Sequence, residues 1–347
     1  MNTEIFKIDP ERIDASAIAR CADIIKRGGL VGMPTETVYG LGADATDSDA
    51  ATKIYAAKGR PSDNPLIIHV AAPEDAEPYA HTSPLYYKLA RAFMPGPLTV
   101  VLPKKDTIPS AVTGGLDTVA VRCPSHPVAR ALISAAGVPI AAPSANLSGS
   151  PSPTSAAHVA KDLDSRIDAI IDGGECEIGL ESTIVKIDGE RATLLRPGAI
   201  TADALACVCE SVEIASAVTH ALAENERPLS PGMKYRHYAP SSPLILLEGE
   251  SDSVLSYLKD AARSESCVIL CYSEELDTLA GARLIDVGAR DDLSTQAQRL
   301  FGALREADTL GGKVIYAHLP TTDGLGLALY NRMIRAAAHT VKKIEKR

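Results

Sequence analysis

The chain has 347 residues, 46% hydrophobic and 23% charged, which is the balance of a globular protein with about two domains. Its formal net charge is −9, and neither the first two thirds nor the remainder is basic. The charge balance therefore disfavours broad, non-specific nucleic-acid binding, and any anion site must be a local concentration of cations.

No apolar run reaches ~18 residues, so no membrane span is expected. The N-terminus, MNTEIFKIDPERID, has neither the basic nor the apolar region of a secretory signal. The seven cysteines are scattered; the closest pair, Cys207 and Cys209, has neither a zinc-ribbon nor a redox spacing. These features point to a cytosolic protein with reduced, mostly buried thiols.

The first region alternates helices and strands. Residues 15–29 have helical periodicity, with Asp14 as N-cap and Gly28-Gly29 as a stop signal. LVGM (30–33) is a short buried strand, and 47–58 a helix capped by Asp47 or Ser48. LIIHV (66–70) is a strand and 83–93 a helix. LTVVLP, TVAVRC, VPIAAP, DAIID, STIVKI and ATLLR read as further strands, with helices in HPVARALISAAG and TSAAHVAKDL. Strand-rich stretches without intervening helices imply a mixed sheet. Residues 1–223 form this first domain. Residues 224–243, with four prolines and no apolar periodicity, read as a linker. Residues 244–347 alternate strands and helices, the last helix running through LGLALYNRMIRAAAHTVKK, and predict a small three-layer α/β domain.

No Walker A pattern, HExxH, GxSxG or Cys/His cluster is present. YGLGADA (39–45) holds a partial dinucleotide fingerprint, but it follows a loop and opens no helix. Metal ligation by protein side chains is not expected.

MPTETVYGLG (33–42) places Thr35, Glu36 and Thr37 after a buried strand, where hydroxyls and a carboxylate suit an amino acid's ammonium and hydroxyl groups; a self-satisfied turn is the alternative. KGRPSDNP (58–65) sets Lys58 and Arg60 beside a stiff turn that feeds a strand. Arg122 ends an apolar strand and needs an anionic partner, either a structural carboxylate or a ligand's. IAAPSANLSGSPSP (140–153) brings Ser144 and Asn146 to another strand end. Ser182 and Arg196 lie at strand boundaries, and SPGMKYRHYAP (230–240) packs Lys234, Tyr235, Arg236 and His237 into the linker. Six cations against an acidic background, with hydroxyl-rich loops, suggest a polyphosphate substrate and a small anionic partner.

KGRPSDNP followed by PSANLSG resembles the Lys-x-Arg…Ser-x-Asn signature of the YrdC-like domain. PTETVYGLG, MPGPLT, GLESTIV and LLRPG are similar to that family's other motifs, in the same order, across roughly residues 10–210. SPGMKYRHYAP and the α/β region after it resemble the long form of the threonylcarbamoyl-AMP synthase family. The resemblance implies a YrdC-like twisted mixed α/β sheet with a concave, locally positive active-site face, plus a small C-terminal three-layer Rossmann-like α/β domain. It implies conversion of L-threonine, bicarbonate and ATP to threonylcarbamoyl-AMP and pyrophosphate, with Mg²⁺ carried on the ATP phosphates. The product would pass to tRNA-modifying machinery, with no strong direct nucleic-acid binding and no membrane partner.

Carried over by motif, the signature falls on Lys58, Arg60, Ser144 and Asn146. The resemblance puts ATP against Arg60, Asn64, Thr118, Ser144, Ser152, Arg196 and Tyr235. It puts threonine against Thr37, His69, Arg122, the backbone near Ala142, and Ser182, with Thr35 able to replace Thr37. Two other readings remain open at this point: a non-catalytic RNA-binding module with a concave basic face, and carbamoyl transfer to another acceptor.

Overall fold

Helix α1 (Ala15–Lys26) begins where Asp14 accepts the N–H groups of Ser16 and Ala17, and its residues Ile18, Cys21, Ala22 and Ile25 form one buried face. That face packs with Phe6, Val31, Met33, Leu132, Ile140 and Ile171 into a core on one side of a large sheet. The structure, a computed structural model, describes residues 2–220, 238–264 and 266–346. These fall into two compact units. One holds the described residues among 1–148, 152–177 and 181–234; the other holds those among 149–151, 178–180 and 235–347.

The first unit is built on eleven strands: β1 (Glu4–Lys7), β2 (Val31–Met33), β3 (Gly40–Asp44), β4 (Ile67–His69), β5 (Leu98–Pro103), β6 (Thr118–Arg122), β7 (Ile140–Ala141), β8 (Ala169–Asp172), β9 (Thr183–Asp188), β10 (Arg191–Arg196) and β11 (Ser211–Ile214). Their spatial order is β1-β8-β2-β3-β7-β4-β6-β5-β9-β10-β11. Parallel pairs such as β4–β6 and β5–β9 alternate with antiparallel ones such as β4–β7 and β5–β6, so the sheet is mixed, as the strand-rich stretches imply. Helix α2 (Ser48–Lys58) is capped by Asp47, whose carboxylate accepts from Asp49 and Ala50, and ends at Gly59 in the left-handed conformation (φ 62°). This αL cap lets the chain turn sharply from Lys58 into Arg60.

Strand β3 has no sequence signal, because its glycines are poor strand formers. Gly42 is there for close packing: a Cβ would come within 2.9 Å of Ile140 Cγ2. The partial dinucleotide fingerprint is thus part of a strand rather than a phosphate loop.

The second unit is a five-stranded parallel sheet, ordered β14-β13-β15-β12-β16, from β12 (Leu244–Glu248), β13 (Cys267–Cys271), β14 (Arg283–Asp286), β15 (Val314–His318) and β16 (Val341–Lys343). One expectation is corrected: the last helix stops at Ala336, and 341–343 form β16 instead of a helical tail. Ala338 and His339 adopt positive φ (47° and 62°), which ends the helix and redirects the chain to pair with β12. Most of the expected linker, with Lys234, Tyr235, Arg236 and His237, lies outside the described residues.

Because Asp47 satisfies two orphan donors at the start of α2, Asp47→Ala is expected to lower the unfolding free energy by about 1 kcal/mol. Urea denaturation with an unchanged m-value would show it; an unchanged midpoint would mean the cap contributes nothing.

Candidate active site

Three adjacent strands of the first unit end side by side. His69 closes β4, Arg122 closes β6, and Thr99 lies near the start of the antiparallel β5; both His69 and Thr99 are paired in register with Arg122. Directly opposed residues share a sheet face, so the three side chains form one row. Ile184 on β9 and Arg196 on β10 continue it. Ile67, Ala120, Val101, Ile184 and Leu195 make an apolar cluster in the same strands.

Arg122 is buried and sits 2.8 Å, Nη2 to Oε1, from the buried Glu36. Glu36 belongs to the turn after β2. Burial, the largest single influence, pulls its carboxyl upward, but the Arg122 charge and the hydrogen bonds from Arg122 and the Glu36 and Ser125 backbone together hold it below the usual range. The Glu36 carboxylate also faces the backbone N–H groups of Glu36 and Ser125, and His69 Nδ1 lacks a hydrogen-bond partner. Burial, then the nearby Arg122 charge, lowers the His69 pKa to about 3, so its imidazole is neutral.

The two threonine hydroxyls have different partners in this turn. Thr35 Oγ1 donates to Val38 O (2.6 Å) and accepts from the Thr37 and Val38 N–H groups. Its oxygen also lies 2.9 Å from Thr37 Oγ1. Thr35 maintains the turn, and Thr37 retains free acceptor capacity.

On the far side of the row, Ser182 Oγ lies 2.7 Å from Thr99 Oγ1 and accepts from Arg196 Nη2 (3.1 Å), while Arg196 Nε donates to Ser182 O (3.0 Å). Gly198 allows this approach: a Cβ there would meet Thr183 N at 2.6 Å. Ser152 Oγ donates to Glu181 Oε1 at 2.6 Å.

Lys58, Ser144 and Asn146 form one hydrogen-bonded assembly, while Arg60 bonds within its own turn. Lys58 Nζ donates to the carbonyls of Ser144 and Asn146, the latter at 2.6 Å, and Ser148 N–H returns a bond to Lys58 O. Ser144 Oγ donates to Asn146 Oδ1 at 2.6 Å. Arg60 Nη2 donates to Pro65 O (3.1 Å) and Asn64 O (3.3 Å), closing the PSDNP turn over itself. Both cations therefore fix main-chain loops. The Asn64 side chain is buried, and its Oδ1 has no partner.

Ala142 continues β7 by donating its N–H to Ile67 O. Thr118 starts β6, on the same face as Arg122 and roughly 13 Å along the strand. Tyr235 lies outside the described residues.

Among the described residues, no group of three or more His, Cys, Asp or Glu side chains is placed to hold a metal ion. Cys176, beside the Thr35 backbone, has its thiol pushed up to about 12, chiefly by burial. A neutral thiol is a poor nucleophile. The arrangement is suited to binding and charge stabilisation rather than covalent catalysis.

A family model covering Sua5, YciO and YrdC, described as telomere recombination, matches residues 23–198, and one for the threonylcarbamoyl-AMP synthase C-terminal domain matches 200–338. Threonylcarbamoyl-AMP synthase of Bacillus subtilis is 44% identical over 327 residues, covering 93% of this chain and 94% of that protein. The chain belongs to the threonylcarbamoyl-AMP synthase family. The enzyme of that name from Pyrococcus abyssi is 44% identical over 346 residues, covering 96% and 98% of the two chains. A crystal structure of P. abyssi Sua5 complexed with L-threonine matches with a TM-score of 0.91 at 43% identity, covering 99% of this chain and 100% of that one.

Within this family framework, two buried polar residues escaped the sequence-derived site: Thr99, hidden in the apolar run LTVVLP, and Glu181, hidden in GLESTIV. The signal for Thr99 is a hydroxyl at an inward strand position, which needs a partner.

No helix of the described residues is long and apolar enough to cross a membrane. Six of the seven cysteines are buried, none is in a disulfide, and Cys207 is exposed.

A histidine held neutral at a folded pKa of about 3, against an ordinary 6.5, binds its proton only in the unfolded chain over that interval. Stability from this source is complete above pH 6.5 and is lost as pH falls towards 3. His69→Asn should flatten the stability slope between pH 6.5 and 4.5 by up to about 1.4 kcal/mol per pH unit. Thermal unfolding across this window tests it; parallel wild-type and variant curves would contradict the assignment.

Proposed function

We propose that the protein is an L-threonylcarbamoyladenylate synthase, converting L-threonine, bicarbonate and ATP to threonylcarbamoyl-AMP and pyrophosphate for N6-threonylcarbamoyladenosine formation in tRNA. The observation that carries this reading is the in-register row of buried polar residues His69, Arg122 and Thr99 at adjacent strand ends. It lies in a chain of this family, beside loops rigidified by Lys58 and Arg60.

Arg122 grips the threonine carboxylate. Thr37, His69, Ser182 and the Ala142 backbone surround the rest of the amino acid. ATP enters as its Mg²⁺ complex, the ion riding on the phosphates and water. Arg60, Asn64, Thr118, Ser144, Ser152, Arg196 and Tyr235 hold the nucleotide and its phosphates.

The threonine nitrogen attacks the bicarbonate carbon, water leaves, and a carbamate forms. A carbamate oxygen then attacks the α-phosphorus, the bond to the bridging oxygen breaks, and pyrophosphate departs. Both steps rest on positioning and charge neutralisation, so no protein nucleophile is needed. Lys58 acts indirectly, by holding the Ser144 and Asn146 carbonyls and so the loop that meets the nucleotide. The protein works in the cytoplasm and hands its product to tRNA-modifying machinery.

Purified protein should release pyrophosphate from MgATP only when L-threonine and bicarbonate are both present. Arg60→Ala should lower that rate at least about a hundredfold, with circular dichroism confirming a retained fold. Release independent of threonine, or full activity in Arg60→Ala, would overturn the reading.

A further inference from the structure

A cleft of about 410 Å³ opens in the first unit, at the end of β2 away from the Thr35–Thr37 turn. It is lined by Leu30 and Asp168, which directly precede the parallel strands β2 and β8. Its size suits a small molecule. Arg27, Lys53 and Arg166 reach it from three separate elements: the end of α1, the middle of α2 and the loop before β8.

Local structure accounts for only part of this charge. A helix C-terminus favours cations, and Lys53 Nζ donates to Gly28 O at 2.7 Å, where α1 ends. Arg166 has no such task. It follows Ser165, a non-glycine residue at φ 63°, in the left-handed region that is unfavourable for an L-residue. Among the described residues, neither the Arg27 nor the Arg166 side chain has a hydrogen bond or ion pair, although the chain carries 44 Asp and Glu. Asp168, the acidic residue of the lining, instead accepts the Leu30 N–H at Oδ2 (2.8 Å). Two guanidiniums and an ammonium thus converge on a concave space without a carboxylate of the chain to balance them.

The surroundings limit what could fill that space. Asp168 lines the cleft, and Asp47 Oδ2 lies 3.1 Å from where a Gly28 Cβ would sit. A long polyanion would run onto these carboxylates; a compact one would not. Ile24, Leu30, Ala56 and Ala57 supply an apolar wall for a carbon skeleton. Lys53, Ala56 and Ala57 share one face of α2, so the ammonium stands beside small side chains that leave the cleft open.

We propose that this cleft is a second ligand site, taking a compact organic anion with at least two negative charges on phosphate or carboxylate groups. It is separate from the row of His69, Arg122 and Thr99, and it does not depend on the synthase reading.

The test is phenylglyoxal labelling of the full-length protein, with each arginine quantified by mass spectrometry, in fructose bisphosphate or citrate at matched ionic strength. At about ten times its half-protecting concentration, at least one probe should slow modification of both Arg27 and Arg166 about tenfold. The exposed Arg91 should react at an unchanged rate. Protection by fructose bisphosphate alone would mark the site as one for phosphate groups, and by citrate alone as one for carboxylates. Arg166→Ser, at an exposed position, should raise the probe concentration needed to protect Arg27 about tenfold, through loss of one charge-assisted contact. No protection by either probe would overturn the proposal whether or not the variant folds. So would equal slowing of Arg91, or protection of Arg27 that Arg166→Ser leaves unchanged.

Discussion

A guanidinium and a carboxylate are buried together at the end of a β-strand, and the surrounding site follows from that constraint. Taking both charges out of water costs several kcal/mol per ion, which the mutual attraction repays only when the remaining donors and acceptors are also satisfied. Arg122 and Glu36 meet at 2.8 Å, and the carboxylate also faces backbone N–H groups of Glu36 and Ser125. The two charges come from separate elements, the end of β6 and the turn after β2, and that turn is locked by the Thr35 hydroxyl. The neutral His69 imidazole beside Arg122 avoids adding a second positive charge to the same small volume.

The cations that look most like phosphate ligands in the sequence have a second task in the structure. Lys58 ties the Ser144–Asn146 segment to the end of α2, and Arg60 ties the PSDNP turn to itself. Charge-assisted bonds of this kind are stronger than neutral ones, so two loops without regular secondary structure acquire fixed backbones. Electrostatic catalysis depends on dipoles and charges that do not reorganise during reaction, and these ties supply that rigidity directly next to the sheet.

Much of this was legible from residues alone. Asp14 and Asp47 announce helix starts because each side chain takes up backbone donors, and Arg122 at the end of an apolar strand demanded a carboxylate. What was not legible has physical causes. Strand β3 hides behind glycines chosen for close approach to β7 rather than for strand propensity. The last helix stops early because two residues adopt positive φ, which no local pattern announces. The order of the eleven strands, with β8 inserted between β1 and β2, is set by long-range packing. In the site, Thr99 disappeared into an apolar run because a single hydroxyl does not disturb a strand pattern.

The central claim is that one face of this sheet joins an amino acid, a one-carbon unit and a nucleotide. The most direct measurement is mass spectrometry of the product formed from MgATP, L-threonine and ¹³C-labelled bicarbonate. The account predicts an adenylate containing threonine and one labelled carbon, with pyrophosphate released in equal amount. An unlabelled threonyl adenylate, or AMP with no conjugate under conditions that preserve the labile product, would contradict it.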